Sequence, residues 1–171
     1  MSSSEQQKFI TEWEGEAAKT LELLRALPAG KYDFRPDTGG RSLGEMAWHL
    51  AEIDAYIALG AAKGTIDFSE KLPGLERPKN VEALAPGYDR IHRDAVAHVR
   101  KMTAEQFDRM MPFLDNRTMR TGDVLWRVLL HHMIHHRGQL GLMNRMAGGR
   151  TPGMFGPNRE EMAALQAKAK G

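Results

Sequence analysis

The spacing of apolar residues constrains this chain more than any other feature. Phe9, Trp13, Ala17, Leu21 and Leu24 recur every three or four positions, the period that gathers side chains on one face of an α-helix. This predicts a first helix over residues 5–27, ended by Pro28, Ala29 and Gly30. Ser42 and Glu45 are spaced as a capping box, so a second helix starts at Ser42 and continues to about Lys63, before Gly64. From Gly64 to Lys79, two glycines and two prolines interrupt the pattern over a length that permits a crossover. A third helix is predicted from about Asn80 to Met102, with Pro86 near its start or at a kink, and Thr103 to Met110 reads as a short capped turn. Thr121 is the expected N-cap of the longest helix, which runs to about Ala147 and stops at Gly148 and Gly149. A loop from Gly149 to Pro157 then leads to a short helix from Asn158. No strand-like alternation competes with this reading. The expected fold is therefore all-α: a four-helix bundle with a long crossover between helices 2 and 3 and a short extra C-terminal helix. At 171 residues the chain suits one domain, 1–171.

Composition removes several classes of chemistry. The chain has no cysteine, so disulfides, thiolate zinc sites and cysteine nucleophiles are excluded, and any thiol has to arrive with a small molecule. Met1 to Lys8 is polar, and no apolar run is long enough for a signal peptide or a membrane span; a cytoplasmic protein is expected. A net charge of +2 with mixed signs offers no basic stripe for nucleic acid.

The histidines carry the functional signal. On a wheel of about 100° per residue with His132 at zero, His136 falls near 40°, among Leu125, Leu129 and Met143. Two imidazoles on an apolar stripe need partners and cannot both be charged comfortably; a shared metal ion satisfies both demands. Their i, i+4 spacing stacks them one turn apart, and His49 lies on an apolar-rich face of the second helix. Three neutral imidazoles leave coordination positions open, the pattern of a catalytic site, for which zinc, nickel or ferrous iron are suitable. Glu52 is a weak candidate for chemistry, as a general base or an orienting group, and Glu45 a weaker one. Gln139, one turn after His136, either bonds a site group or bridges helices. His92 and His98 do not share a face and read as surface histidines. On the last long helix, Trp126, Leu130, Met133 and Ile134 lie away from the histidines beside Arg127, Arg137 and Arg145. Either a partner copy or another helix of the same chain covers that face.

The stretches SLGEMAWHLAE (Ser42 to Glu52), HMIHHRGQ (His132 to Gln139) and TPGMFGP (Thr151 to Pro157), with Arg35 and Pro36, resemble the DinB/YfiT-like superfamily of metal-binding four-helix bundles. The resemblance implies metal ligands His49, His132 and His136, with His135 beside them as a non-ligand, and a homodimer. It also implies a metal-dependent enzyme that activates a low-molecular-weight thiol such as bacillithiol or mycothiol (an S-transferase) or water (a hydrolase), acting on a small-molecule substrate. The alternative is a non-enzymatic stress-response bundle. A zincin protease is not expected, because HExxH is missing, nor a di-iron site, because no Glu stands three before these histidines.

Overall fold

The computed structural model describes residues 4–113 and 117–169, so both ends of the 1–171 span, with Met1 to Ser3 of the polar N-terminal stretch, and residues 114–116 lie outside the described residues. Helices α1 (Ser4–Arg25), α2 (Leu43–Lys63) and α3 (Leu84–Arg100) are followed by the short α4 (Ala104–Asp108) and two strands, β1 (Met110–Phe113) and β2 (Arg117–Arg120). A long helical rod comes next: α5 (Thr121–Asp123), a π-helical stretch (Val124–Leu130) and α6 (His131–Met146). Helix α7 (Arg159–Lys168) lies beyond it.

Local chemistry accounts for most of the boundaries. The Ser42 hydroxyl accepts from Glu45 N at 3.2 Å while the Glu45 carboxylate accepts from Ser42 N at 2.8 Å, satisfying two donors that a helix start leaves orphaned. Arg35 pairs with the same carboxylate at 2.8 Å. At the other end of α2, Gly64 adopts φ 91° and its N–H donates to Gly60 O. Asn158 caps α7 in the same reciprocal way with Glu161.

Side-chain pairings set the bundle's topology. The Gln6 amide donates to the carbonyls of Val99 and Met102, and Trp13 meets His92 edge-on at 4.8 Å, so α1 and α3 are antiparallel. Trp48 fills the space that a Cβ on Gly87 would occupy, and Asp54 bonds His92 at 2.7 Å, so α2 and α3 run parallel. Neighbouring parallel helices need a connection that returns along the bundle. Residues 64–83 provide it, pinned to α2 where Tyr56 donates to Glu70 O (3.0 Å) and Trp48 to Leu75 O (3.0 Å). The α5–α6 rod runs parallel to α1, with Phe9 against Trp126 and Arg137 against Glu16. Helices α1 and α2 each pack between α3 and that rod. Phe9, Trp13, Trp48, Leu50, Tyr88, Leu125 and Leu129 fill the centre. Among the described residues, no helix is long and apolar enough to cross a membrane.

The structure departs from the sequence reading of the elements at three places, and it settles what covers the outer face of the rod. Helix α3 begins at Leu84, four residues later than expected, with Pro86 in its first turn, where its missing N–H costs nothing. Thr121 is the first helical residue and not the N-cap; its hydroxyl donates to Arg109 O at 3.1 Å instead. Met110–Phe113 and Arg117–Arg120 form an antiparallel pair, Met111 opposite Met119, which four-residue strands are too short to announce by alternation. The apolar face of the rod is covered within the same chain: Trp126 packs on Phe9, Met133 accepts from Thr20, and Arg137 is 1% exposed beside Glu16. That face therefore gives no support to a dimer.

Candidate metal centre

Helix α2 presents His49 toward α6, where the i, i+4 pair His132 and His136 sits one turn apart. Ring centroids are 4.8 Å apart for His49–His136, 5.8 Å for His49–His132 and 4.5 Å for His132–His136. One ring nitrogen from each lies within 4.8 Å of the others, so the three can hold a single metal ion. His131 and His135 are exposed; the His135 ring stands 5.0 Å from His136 but outside this group.

The environment favours the neutral form of His132 and His136, the form a metal needs. Loss of solvation pushes His136 down to about 4, reinforced by the nearby His132, His49 and His135 and only partly opposed by Gln139. Burial lowers His132 as well, with His49, His135 and Arg41 adding to it. The outer partners orient the rings. Gln139 Oε1 lies 2.6 Å from His136 Nδ1, and Glu52 Oε2 lies 3.3 Å from His49 Nδ1. Both partners accept, so each Nδ1 carries the proton and each Nε2 keeps its lone pair free. The donor set thus fits a borderline divalent ion: neutral nitrogens, orienting acceptors and no cysteine.

Glu52 is engaged twice. Arg77 donates to it through Nε at 2.9 Å and Nη2 at 3.3 Å, and His49 holds its other side. Burial pushes its carboxyl up, yet the bonds from His49 and Arg77 outweigh this and hold it at about 2. So weak a base is better suited to orienting His49 than to taking protons at neutral pH. Gln139 does the same for His136. Replacing Gln139, which is exposed and leaves the core untouched, by leucine is expected to weaken metal binding by about 10- to 100-fold. Competition against a chromophoric chelator reads this directly.

A cavity of about 840 Å3 opens beside His49 and His132, walled by Tyr56, Ile57, Phe68 and Phe113 and reached by Glu52 and Arg127. Two elements that the sequence did not reveal build it. The β1 strand supplies Phe113 and Pro112. The π-helical stretch supplies Arg127 and Val128. On an α-helix Arg127 falls on the face away from His132. Hydrogen bonds of the i→i+5 kind widen the turn, so that residues roughly four and five apart come into line, and Arg127, Val128 and His132 line one wall.

His92 is not a surface residue: Asp54 and the Trp13 ring enclose it, and it is 7% exposed. Its position four after Tyr88 and three before Ala95 marked the buried stripe. His98 is exposed, as expected.

Over residues 1–169 the sequence matches the DinB family. The chain belongs to the DinB family. An uncharacterized relative, YrdA of Bacillus subtilis (strain 168), is 29% identical over 166 residues, 94% of each chain. A DinB-like protein from Bacillus cereus ATCC 10987 superimposes with a TM-score of 0.72 at 24% identity, covering 87% of this chain and 97% of that one. A second DinB-like protein, YjoA of Bacillus subtilis, gives 0.68 at 22% identity, covering 82% and 92%. These likenesses establish the helical fold. In this DinB-family chain the closing loop resembling the family's, at Thr151, folds back on α6: the Thr151 hydroxyl donates to Gly141 O at 2.7 Å and Asn144 donates to that hydroxyl at 3.2 Å.

Proposed function

We propose that this DinB-family protein is a metal-dependent enzyme, its ion held by His49, His132 and His136, that activates a low-molecular-weight thiol or water toward a small molecule in the adjoining cavity. The observation that carries this reading is the cavity of about 840 Å3 against the histidines. A purely structural ion has a closed shell and no need of an adjoining pocket, so the non-enzymatic bundle is the weaker reading.

A bound zinc, nickel or ferrous ion supplies Lewis acidity that lowers the pKa of a thiol or water. The protein's own residues do the rest. Gln139 and Glu52 hold two of the rings in place, and the apolar walls offer a surface for the body of a substrate. Glu52 is already engaged by Arg77 and His49, which leaves it poorly placed to act as a general base and favours a thiol, the stronger acid, over water. A chain without cysteine also requires the sulfur to come with the cosubstrate.

The test is turnover by protein loaded with zinc or nickel, assayed with bacillithiol, mycothiol and glutathione against an aryl halide, and in parallel against activated esters. Thiol consumption that a chelator abolishes and added metal restores is the expected result. Metal-dependent ester cleavage alone makes it a hydrolase, and no metal-dependent turnover in either assay favours the binding bundle.

A further inference from the structure

Two charged side chains reach the cavity, and they differ in their partners. Glu52 is neutralised by Arg77 and hydrogen-bonded to His49. Arg127 forms no ion pair or hydrogen bond among the described residues. The π-helical stretch holds it on the same wall as His132, while Ile57, Phe68 and Phe113 make the rest largely apolar. An arginine fork beside an apolar wall has five donors and no acceptor, so it recognises a planar or tetrahedral anion. A π-helical turn is a rare geometry that concentrates at functional sites, and this one places the exposed Arg127 on the cavity wall.

We propose that the cavity takes an anionic small molecule with a mainly apolar or aromatic body, whose carboxylate, sulfonate or phosphate is held by Arg127 while the body lies against Ile57, Phe68 and Phe113. Arg127 is thus a specificity-determining residue. This rests on the reading of the cavity as the substrate site, and it adds the chemical class of the substrate.

The probes are a matched pair: 8-anilinonaphthalene-1-sulfonate and its neutral counterpart N-phenyl-1-naphthylamine, titrated by fluorescence into the full-length protein. Arg127→Met keeps the length of the side chain and removes its charge. Arg41→Met removes an exposed charge that acts on His132 but does not line the cavity. The expected result is that Arg127→Met weakens sulfonate binding by about 10-fold, the value of one charge-assisted contact, and leaves the neutral probe unchanged. Arg41→Met leaves both unchanged, and the Arg127 effect persists after chelation. Equal effects on both probes, an equal loss in Arg41→Met, or a sulfonate preference that disappears with the metal and survives in Arg127→Met overturns the proposal. Metal content is measured on the same samples: an absent ion with an intact Arg127 effect defeats the enzyme reading alone, and a bound ion without that effect defeats this one alone.

Discussion

Replacing either His132 or His136 with alanine is expected to take bound metal from about one ion per chain to none, read by elemental analysis of protein purified without a histidine tag. The cluster has three nitrogens within 4.8 Å and no fourth His, Cys, Asp or Glu in the group among the described residues. Each ring is therefore a third of the protein's donor set, and two imidazoles hold a divalent ion far less tightly than three. His135→Ala is the control. That ring is exposed and outside the group, and its loss should leave the ion in place. Since an ion that binds only the folded chain stabilises it by mass action, the wild type should also melt at a lower temperature after chelation, whereas the two metal-free variants should not respond. A fully folded wild type without metal, or variants that keep their ion, would contradict the assignment.

Glu16→Ala is expected to destabilise the bundle strongly. Arg137 is 1% exposed, and Glu16 answers its charge twice: through the carboxylate, and through the main-chain carbonyl, which accepts from Nη1 at 2.7 Å. Lys19 adds a contact to the carboxylate at 2.6 Å. Removing Glu16 strands a buried guanidinium, a loss on the order of 3–5 kcal/mol. For a chain of this size that lowers the melting temperature by roughly 10 °C. Glu16→Leu combined with Arg137→Met should recover most of the loss, because no charge is then left unpaired. The same pair predicts acid sensitivity. Burial pushes the Glu16 carboxyl up, but Lys19 and Arg137 outweigh it, so its pKa lies below the ordinary 4.5. A depressed carboxyl contributes stability above pH 4.5, lost as pH falls through the folded value. Wild type should therefore lose stability below pH 4.5 more steeply than the double variant in urea titrations at each pH.

Much of the architecture was readable because its signals are local. Ser42 with Glu45, Gly64 and Asn158 act through hydrogen bonds within a few residues, and a helix boundary needs nothing more. The histidine pair on α6 was readable for the same reason: four residues on an α-helix are one turn apart whatever surrounds them. What covers the outer face of the rod stayed open because a wheel shows that Trp126 and Met133 must be covered, but not by what; Phe9 and Thr20 of the same chain cover them. His92 was misread because two histidines were compared only with each other, when Tyr88 and Ala95 already marked its stripe.

The sequence by itself determined the helical class, most caps, the crossover length and the i, i+4 histidine pair on α6, since each depends on residue type and short-range spacing; the fold alone brings His49 of α2 to that pair. Tertiary structure alone decided the substrate side of the site. The β1–β2 pair forms from strands too short to signal themselves, and Arg77 reaches Glu52 from the crossover, 25 residues away in the chain. Arg127 enters the cavity because the rod changes its hydrogen-bond register at Val124–Leu130. A shift from i→i+4 to i→i+5 is set by packing of the whole bundle and leaves no mark in local composition.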